Sequence, residues 1–331
     1  MSLGDALRRS CWAIAVTALA LGAIGLLGGV WPAADFLNQF APAWFCAGLV
    51  AVAMLLGVSR AKVAAGLVGA GVAAIGVFMM GPEFAAKASF DAPAVEAQVR
   101  IVQFNVFKQN LSPRRTANWV ASQKADFVVL EEAYAGGEVM RRLRADFPFV
   151  VSCRGRKPCT TVILSRVAPV AGAGLARGDP ENRKALSAGW ARYDLAGRSI
   201  TIVAAHLARP WPWGRQEEDR RLLVAELRRL RDLNLILVGD FNTTPWTFAG
   251  RRQDKLLGMR RITRALFTWP ALVQPRHRVF PAIPFLPIDQ AYLRPGLLPV
   301  SVRRGPYLGS DHRPVVIDLA WAALRDQRVI E

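Results

Sequence analysis

The chain contains a short apolar run that ends in a polar turn, Asn234-Leu235-Ile236-Leu237-Val238-Gly239-Asp240-Phe241-Asn242-Thr243-Thr244-Pro245-Trp246. Branched aliphatic residues bounded by turn formers predict a buried strand whose polar tip is held still by the sheet. Asp240 and Asn242 are two residues apart, so in an extended chain their side chains point the same way. A carboxylate and an amide can therefore converge on one small ligand. The alternative is an ordinary turn, since Asp, Asn and Pro are common turn residues.

Apolar residues make up 52% of the 331 residues and are concentrated before residue 90. Three segments there lack any charged side chain: Cys11–Val30, Phe40–Val58 and Val63–Met80. Each is close to the roughly 20 residues that a helix needs to cross a bilayer. We therefore expect a membrane anchor of three transmembrane helices over residues 1–80. A cleaved signal peptide is the alternative for the first segment, although its run is longer than the usual apolar region of about 7 to 15 residues.

Basic residues in short loops predict the orientation of this anchor. Arg8 and Arg9 precede the first segment, and Arg60 and Lys62 lie between the second and the third. Because cytoplasmic loops are enriched in Lys and Arg, both sites are expected in the cytoplasm. Three crossings then predict a multi-pass protein of the inner (plasma) membrane, with everything after Met80 on the periplasmic or extracytoplasmic side.

Cysteine usage agrees with that side of the membrane. Cys153 and Cys159 flank a Gly/Pro loop between two predicted strands, and a disulfide across this hairpin is expected in an oxidising compartment. Two unpaired thiols are the alternative. Cys11 and Cys46 lie in membrane segments, where they are expected to act as small apolar residues.

The net charge of +18 is carried almost wholly by the part of the chain after residue 90, which holds 38 of the 43 Lys and Arg and 22 of the 25 Asp and Glu. A positive field attracts phosphorylated partners such as nucleic acid or anionic lipid headgroups. The charge does not choose between them, and solvated helix faces account for part of it. No feature of the sequence predicts a protein partner.

Strands and helices alternate after a predicted linker at residues 81–96, which is typical of an α/β layer. The predicted strands are Val99–Val106, Asp126–Leu130, Phe149–Ser152, Thr160–Ser165, Leu186–Leu195, Ser199–Ala205, Asn234–Val238, Ile288–Leu293 and Pro314–Leu319. Predicted helices cover about residues 113–124, 137–146 and 215–232.

Polar residues stand at the ends or starts of successive predicted strands. They are Asn105, Glu132, His206, Asp240, Asn242, Asp289, Asp311 and His312. The chain has only three histidines, and two of them belong to this set. Packing alone does not readily produce such a combination, so these residues are expected to form a site.

These residues resemble those of the endonuclease/exonuclease/phosphatase superfamily, which includes DNase I-like nucleases, inositol polyphosphate 5-phosphatases and bacterial sphingomyelinases. The matching stretches occur in the family's order within about residues 97–320: Val102–Val106, Val129–Glu132, Val162–Ser165, Ala204–Leu207, Val238–Asn242, Ile288–Tyr292 and Ser310–Val315. The Gly-Asp-Phe-Asn and Ser-Asp-His elements are specific together and weak alone. The anchor lies outside the resemblance but looks like that of membrane-anchored bacterial members, and residues 321–331 are expected to be a tail.

The resemblance implies a four-layer α/β sandwich, with two mixed β-sheets face to face and helices outside. It also implies a metal-dependent hydrolase of phosphoester bonds. Glu132 would be the principal ligand of Mg²⁺ or Mn²⁺, assisted by Asn105 and, through water, by Asp311. Hard oxygen ligands of this kind suit Mg²⁺.

The resemblance also implies roles for the other polar residues. His206 and Asn242 would grip the phosphoryl oxygens, Asp240 would orient or deprotonate the attacking water, and His312, paired with Asp289, would act at the phosphoryl group. Such groups suit the chemistry, because a phosphodiester repels a nucleophile until its developing charge is neutralised. The choice of base between Asp240 and His312 stays open.

Two departures from the family pattern bear on the substrate. Phe107 stands where the DNA-repair branch carries an Asp ligand, and His206 stands where that branch has a Tyr. The residues therefore favour the DNase I and phospholipid-cleaving branches. Two loops rich in Trp, Phe, Arg and Pro, Arg209–Arg215 and Trp269–Pro287, are expected to border the site. The leading hypothesis is a phosphodiesterase, such as a nuclease, and the alternative is a phosphatase or phospholipase C-like hydrolase of lipid phosphoesters.

Overall fold

The computed structural model describes residues 3–88, 96–153, 160–175, 186–212, 214–274 and 278–322. These residues form two compact units. The first unit contains the N-terminal helices together with Thr243–Arg252, and the second contains the remaining described residues. The sequence did not predict that a segment directly after Asn242 belongs with the N-terminal helices.

The first unit consists mainly of α1 (Leu3–Leu26), α2 (Pro32–Gln39), α3 (Ala41–Val58) and α4 (Lys62–Ala88), with a 3₁₀ turn at Leu27–Gly29. The spans Leu3–Gly29, Ala41–Val58 and Lys62–Lys87 are long and apolar enough to cross a membrane. Three apolar helices are thereby confirmed. The structure differs in two details: α4 continues through Pro82 to Ala88, so the start of the predicted linker is helical, and the short α2 was not predicted.

A core of small and aliphatic side chains packs the N-terminal helices together. It includes Cys11 and Ala15 of α1, Val52 and Leu55 of α3, and Ala65 of α4. The thiol of Cys11 is free and buried, as expected of a small apolar residue, while Cys46 is free and exposed.

The second unit contains fourteen strands within the described residues. They are β1 (Val99–Asn105), β2 (Phe127–Glu131), β3 (Phe149–Ser152), β4 (Val162–Ser165), β5 (Ala171–Leu175), β6 (Ser187–Leu195), β7 (Arg198–His206), β8 (Leu235–Asp240), β9 (Arg260–Arg261), β10 (Leu272–Val273), β11 (Phe280–Pro281), β12 (Asp289–Leu293), β13 (Leu297–Arg304) and β14 (Val315–Trp321). The helices are α5 (Pro113–Ser122), α6 (Glu138–Leu143) and α7 (Arg215–Leu227). A further helix, α8 (Phe248–Leu257), begins in the first unit and ends in the second.

Two six-stranded sheets form the centre of the second unit, in the orders β13-β14-β1-β2-β4-β3 and β5-β6-β7-β8-β12-β9. The pairs β1–β2 and β7–β8 are parallel and the other neighbouring pairs are antiparallel, so both sheets are mixed. A short hairpin of β10 and β11 stands apart.

Three apolar clusters show how the layers pack. The first joins the two sheets, with side chains such as Ile101 and Val129 meeting Ile202 and Val238. The second lies between the β1-containing sheet and the helices α5 and α6. The third lies between the other sheet and α7. The expected four-layer sandwich is therefore confirmed.

The structure differs from the sequence expectation at several element boundaries. Strands β5 and β13 were not predicted, because β5 is a run of Ala and Gly and β13 contains Pro299, at which its pairing with β14 shifts register. Helix α7 ends at Leu227, before the predicted end at Asp232. Cys153 is disulfide-bonded, and its predicted partner Cys159 lies outside the described residues.

Candidate active site

Three of the predicted polar residues stand side by side across one sheet. In the parallel pair β7–β8, His206 lies opposite Asp240. In the antiparallel pair β8–β12, Asp289 lies opposite Asp240. Residues paired in register on neighbouring strands project from the same face. Strand pairing therefore brings His206, Asp240 and Asp289 together.

This arrangement depends on the glycine that precedes Asp240. Gly239 has a φ of 156°, and a Cβ added there would lie 1.8 Å from the backbone oxygen of Ala205 on β7. Any larger residue would push β8 away from β7, because that contact is with backbone rather than with a flexible side chain. Gly239 therefore keeps Asp240 beside His206.

Asp240 is the centre of the cluster and is 1% exposed. Its Oδ2 accepts a hydrogen bond from Asn105 Nδ2 at 3.0 Å and lies 3.5 Å from His206 Nε2 and 3.6 Å from His312 Nε2. Its Oδ1 accepts from the backbone nitrogen of Asn242 at 2.8 Å. Burial raises the pKa of Asp240, and the nearby His312 and His206 act in the opposite direction. The result is a buried carboxylate surrounded by hydrogen-bond donors.

His312 and Asp289 form a close pair between the sheets. His312 Nδ1 and Asp289 Oδ2 are 2.8 Å apart, and both side chains are buried. Burial acts to lower the pKa of His312, but the charges of Asp289 and Asp240 and the hydrogen bond to Asp289 together raise that pKa to about 10. His312 thus holds its proton at neutral pH. Ser310 fixes the preceding turn, because its Oγ accepts from His312 N and donates to Asn105 O.

Asn242 lies in a tightly held turn after β8. Its φ is 49°, a left-handed conformation that Asn tolerates better than most residues. Its Nδ2 donates to Leu207 O at 2.9 Å. Gln216, at the start of α7, points Nε2 at the carbonyl oxygens of Ala208, Phe241 and Asn242, at 2.9, 3.1 and 3.1 Å. Sequence analysis missed Gln216, because that helix was interpreted only as a charged, solvated element.

Two further buried residues, Gln103 and Glu131, were also missed. Gln103 Nε2 donates to Glu131 Oε2 and to Asp289 Oδ1, each at 2.8 Å. Burial raises the pKa of Glu131 well above its usual range, and the charges of Asp289 and Asp240 add to that shift. A signal was present in the sequence: Gln103 is a polar residue two positions before Asn105 on the same predicted strand, so both project from one face.

An open cavity of about 350 Å³ lies beside this cluster. Three predicted site residues line it: Glu132, His206 and Asn242. Its wall also contains Arg209, Trp211, Pro212, Arg215 and Asp219. The loop Arg209–Arg215 therefore borders the site as expected, within its described residues, and it brings two basic groups to the cavity.

Asn105, Glu132 and Asp311 are the residues best suited to hold a divalent metal. Asn105 turns its amide nitrogen toward Asp240 and its oxygen toward the backbone nitrogen of Phe107 at 3.1 Å. Glu132 Oε2 accepts from Lys108 N at 3.1 Å. Asp311 Oδ2 accepts from the indole nitrogen of Trp269 at 3.2 Å. The donor set is two carboxylates and an amide oxygen, which fits Mg²⁺ or Mn²⁺.

A second group has metal-binding residue types but suits proton handling better. Ligand atoms of Asp240, Asp289 and His312 lie within 4.8 Å of one another. A metal there would need a deprotonated imidazole nitrogen. His312 already uses Nδ1 in its hydrogen bond with Asp289. The short contact between His312 and Asp289 therefore favours a role in hydrogen bonding for this candidate group.

Backbone strain marks the same edge of the sandwich. Phe107, Glu132 and Asn242 have φ values of 59°, 54° and 49°. A left-handed conformation costs about 1–2 kcal/mol for residues other than Gly, and such strained residues tend to cluster at active sites. The departure from the family pattern at Phe107 thus falls at a strained turn directly after Asn105 and Val106.

The model of the Endonuclease/Exonuclease/phosphatase family matches residues 102–312. The chain belongs to this family and is a hydrolase that acts on phosphoester bonds. None of the curated protein sequences matches it.

Solved structures share the fold. An endonuclease/exonuclease/phosphatase from Bacteroides vulgatus is 17% identical, with a TM-score of 0.54 over 68% of this chain and 99% of that one. The mannosyl-6-phosphatase of Bacteroides thetaiotaomicron is 14% identical, with a TM-score of 0.53 over 67% and 100%. Sphingomyelinase C from Streptomyces griseocarneus is 14% identical, with a TM-score of 0.50 over 68% and 99%. At these identities the similarity is one of fold.

Proposed function

We propose that this hydrolase cleaves phosphodiester bonds with the help of a divalent metal ion. The observation that carries the proposal is the buried carboxylate of Asp240, which is approached by His206, His312 and Asn105 beside an open cavity lined in part by Arg209 and Arg215. Donors and positive charge around one carboxylate are what a phosphoryl-transfer site needs, because charge develops on the phosphoryl oxygens and a nucleophile must lose a proton.

The proposed metal ligands are Glu132, Asn105 and, through water, Asp311. When bound, Mg²⁺ or Mn²⁺ neutralises charge on the phosphoryl oxygens. The protein would contribute hard oxygen donors from the end of β1, from the residue after β2 and from the turn before β14.

The remaining roles follow from the hydrogen bonds. His206 and Asn242 line the cavity, so they are proposed to donate to the phosphoryl oxygens. Asp240 is proposed to accept the proton of the attacking water, because burial and the neighbouring charge of Asp289 raise its pKa while Asn105, His206 and His312 surround its Oδ2. His312 is proposed to stabilise the phosphoryl group as a cation, with Asp289 holding its ring. A positioned base contributes about 10²- to 10⁴-fold in rate.

The proposed location is the outer face of the inner (plasma) membrane, with the hydrolase domain following α4 in the chain. The basic residues Arg8, Arg9, Arg60 and Lys62 support a cytoplasmic N-terminus and three crossings. The disulfide of Cys153 supports an oxidising compartment.

Nucleic acid is the first candidate substrate. Arg209, Trp211 and Arg215 at the cavity suit a polyanion whose bases can stack, and Trp211 is 57% exposed. A lipid phosphoester is the second candidate. It is favoured by the region around β10 and β11, where Phe280 and Ile283 are 48% and 88% exposed. Exposed apolar side chains of this size suit insertion into a membrane surface.

The test is hydrolysis by the full-length protein in detergent, given plasmid DNA and mixed phospholipid vesicles in parallel with Mg²⁺. EDTA and Asp240→Asn are the controls. Cleavage of one substrate that is lost in both controls supports the proposal and chooses the substrate class. Cleavage of DNA should also weaken steeply as salt concentration rises. Turnover that is unchanged by EDTA or by Asp240→Asn would overturn the mechanism.

A further inference from the structure

The short helix α2, between the first two apolar spans, carries three polar side chains that are almost fully buried. Asp35, Asn38 and Gln39 are 5%, 0% and 5% exposed. Burial of polar groups is costly unless each finds a hydrogen-bond partner. Their partners therefore show what this helix does.

Asp35 holds the start of a helix more than 200 residues away in sequence. Its Oδ1 accepts from Phe248 N at 2.9 Å and its Oδ2 from Ala249 N at 2.8 Å. These are the first amides of α8, and the first amides of a helix lack partners within it. A carboxylate here also interacts favourably with the helix dipole. Asp35 thus acts as an N-terminal cap supplied by another part of the chain.

Gln39 and Asn38 hold the residues just before that helix. Gln39 Oε1 accepts from Thr244 N at 2.9 Å, and its Nε2 donates to Thr243 Oγ1 at 3.1 Å. The indole nitrogen of Trp246, a residue that is 1% exposed, donates to Asn38 O at 2.8 Å. Every residue in these contacts belongs to the first unit.

The contacts on α2 are themselves fixed. Asn38 Nδ2 donates to Gly25 O at 2.9 Å and to Asp35 Oδ1 at 2.8 Å. A Cβ added at Gly25 of α1 would lie 2.3 Å from Asn38 Oδ1. Helix α1 can therefore approach α2 this closely only because residue 25 is glycine. Helix α2 is therefore held in a fixed position by its own contacts and is not a loose connection between two apolar spans.

We propose that α2 is a positioning element of the active site, with Asp35 and Gln39 as positioning residues. Thr243, which Gln39 contacts, follows Asn242 directly in the chain. Gln39 and Asp35 therefore fix the segment that leaves the Asn242 turn. The N-terminal helices then do more than tether the hydrolase: they complete the support of a residue proposed to bind the phosphoryl oxygens. This inference rests on the proposed function for the role of Asn242. That α2 holds the segment after Asn242 rests on the contacts alone.

The test uses the full-length protein in detergent and two independent readouts. Hydrogen–deuterium exchange of the peptide covering residues 243–252 reports whether its contacts with α2 are intact. The kcat and KM for the cleaved substrate report on the active site. Asp35→Ala and Gln39→Leu are expected to raise exchange in that peptide at least tenfold and to lower kcat at least tenfold. Gln39→Glu keeps the acceptor for Thr244 N and should restore most of both. Asp5→Asn, in the same anchor but paired with Arg8, is the matched control and should change neither.

The outcomes separate the parts of the proposal. Unchanged exchange in both Asp35→Ala and Gln39→Leu would overturn the contacts. Raised exchange with unchanged kcat would overturn the positioning role. If the unsubstituted protein cleaves no substrate, the proposed function fails, and the exchange data still decide whether α2 holds this segment. If Asp35→Ala does not fold, Gln39→Leu and Gln39→Glu give the same comparison.

Discussion

Gln103 on β1 of one sheet donates from Nε2 to Asp289 Oδ1 on β12 of the other sheet, at 2.8 Å. The other oxygen of Asp289 meets His312 Nδ1, also at 2.8 Å. Gln103 is 0% exposed, so water does not readily replace the amide if it is removed. The orientation of the His312–Asp289 pair is therefore set from across the interface between the sheets.

Replacing Gln103 should thus damage turnover more than substrate binding. Gln103→Leu leaves Asp289 Oδ1 and Glu131 Oε2 without this donor, and a buried group left unpaired costs about 1–3 kcal/mol. We expect kcat to fall roughly 10-fold or more, as about 1.4 kcal/mol of transition-state stabilisation would imply, while KM changes little. Steady-state kinetics and thermal unfolding measure the two effects.

Gln253→Leu is the matched control, since Gln253 is also a buried glutamine but bonds Tyr292 and Gln290. It should lower stability without a selective loss of kcat. An equal loss of kcat in both variants would mean that Gln103 acts through general stability.

The cluster around Asp240 predicts a severe loss of activity in a folded protein. Asp240→Asn keeps the shape but removes the carboxylate, and His312→Ala removes the partner of Asp289. Each should lower kcat at least about 10²-fold, the lower range for a positioned acid or base. Asp194→Asn, near the end of β6, is the control and should keep full activity. Activity of Asp240→Asn or His312→Ala within tenfold of the parent would refute the assignment.

Much of the second unit was predictable from local pattern. Runs such as Leu235–Val238 are apolar and end in polar residues, which is the pattern of a buried strand. When these strands pair in register, His206, Asp240 and Asp289 come together. Strand β13 was not predicted, because proline is unusual within a strand. Pro299 is accommodated here by a register shift.

Other features depend on contacts between distant residues. The pairing of Asp35 with Phe248 and Ala249 joins a polar residue between two apolar spans to the start of a helix, and neither stretch is distinctive alone. Glu131 was not predicted as a site residue for another reason. The family pattern pointed to its neighbour Glu132, and only the packing of two sheets shows that Glu131 is 0% exposed.

These adjacent glutamates offer a test of the metal site. If Glu132 is the principal ligand, Glu132→Gln should raise the Mg²⁺ concentration needed for half-maximal activity by about 10-fold or more. Glu131→Gln should leave that concentration unchanged, because burial already raises the pKa of Glu131 and favours its neutral form. The measurement is a Mg²⁺ titration of activity after EDTA treatment. The opposite result would make Glu131 the ligand.

The pair of Arg100 and Asp318 predicts a pH dependence of stability. Burial acts to raise the pKa of Asp318, but hydrogen bonds from Arg100 at 2.6 Å and Ser301 at 2.7 Å outweigh it and hold that pKa below its usual value. A lowered pKa in the folded state gives stability that is present above about pH 4 and is lost as pH falls through the folded-state pKa. Asp318→Asn should therefore be less stable than the parent at pH 7, and the gap should shrink below about pH 4. Thermal melts from pH 7 to pH 3 measure this, and a gap that is independent of pH would contradict it.

Removing the anchor should impair the hydrolase even in solution. A fragment that begins at residue 96 lacks Asp35, Asn38 and Gln39, so Thr243–Arg252 loses the partners that pair its amides. Trp246, which is 1% exposed, would meet water, at a cost of about 1.5–3 kcal/mol for a large apolar side chain.

We expect kcat/KM of this fragment to be at least tenfold below that of the full-length protein in detergent, measured on a water-soluble substrate so that membrane presentation plays no part. Exchange at residues 243–252 should rise, while exchange in β1 and β8, which are held by the two sheets, should stay low. A fragment with full activity and a protected 243–252 segment would show that this segment folds without α2, and the anchor would then be only a tether.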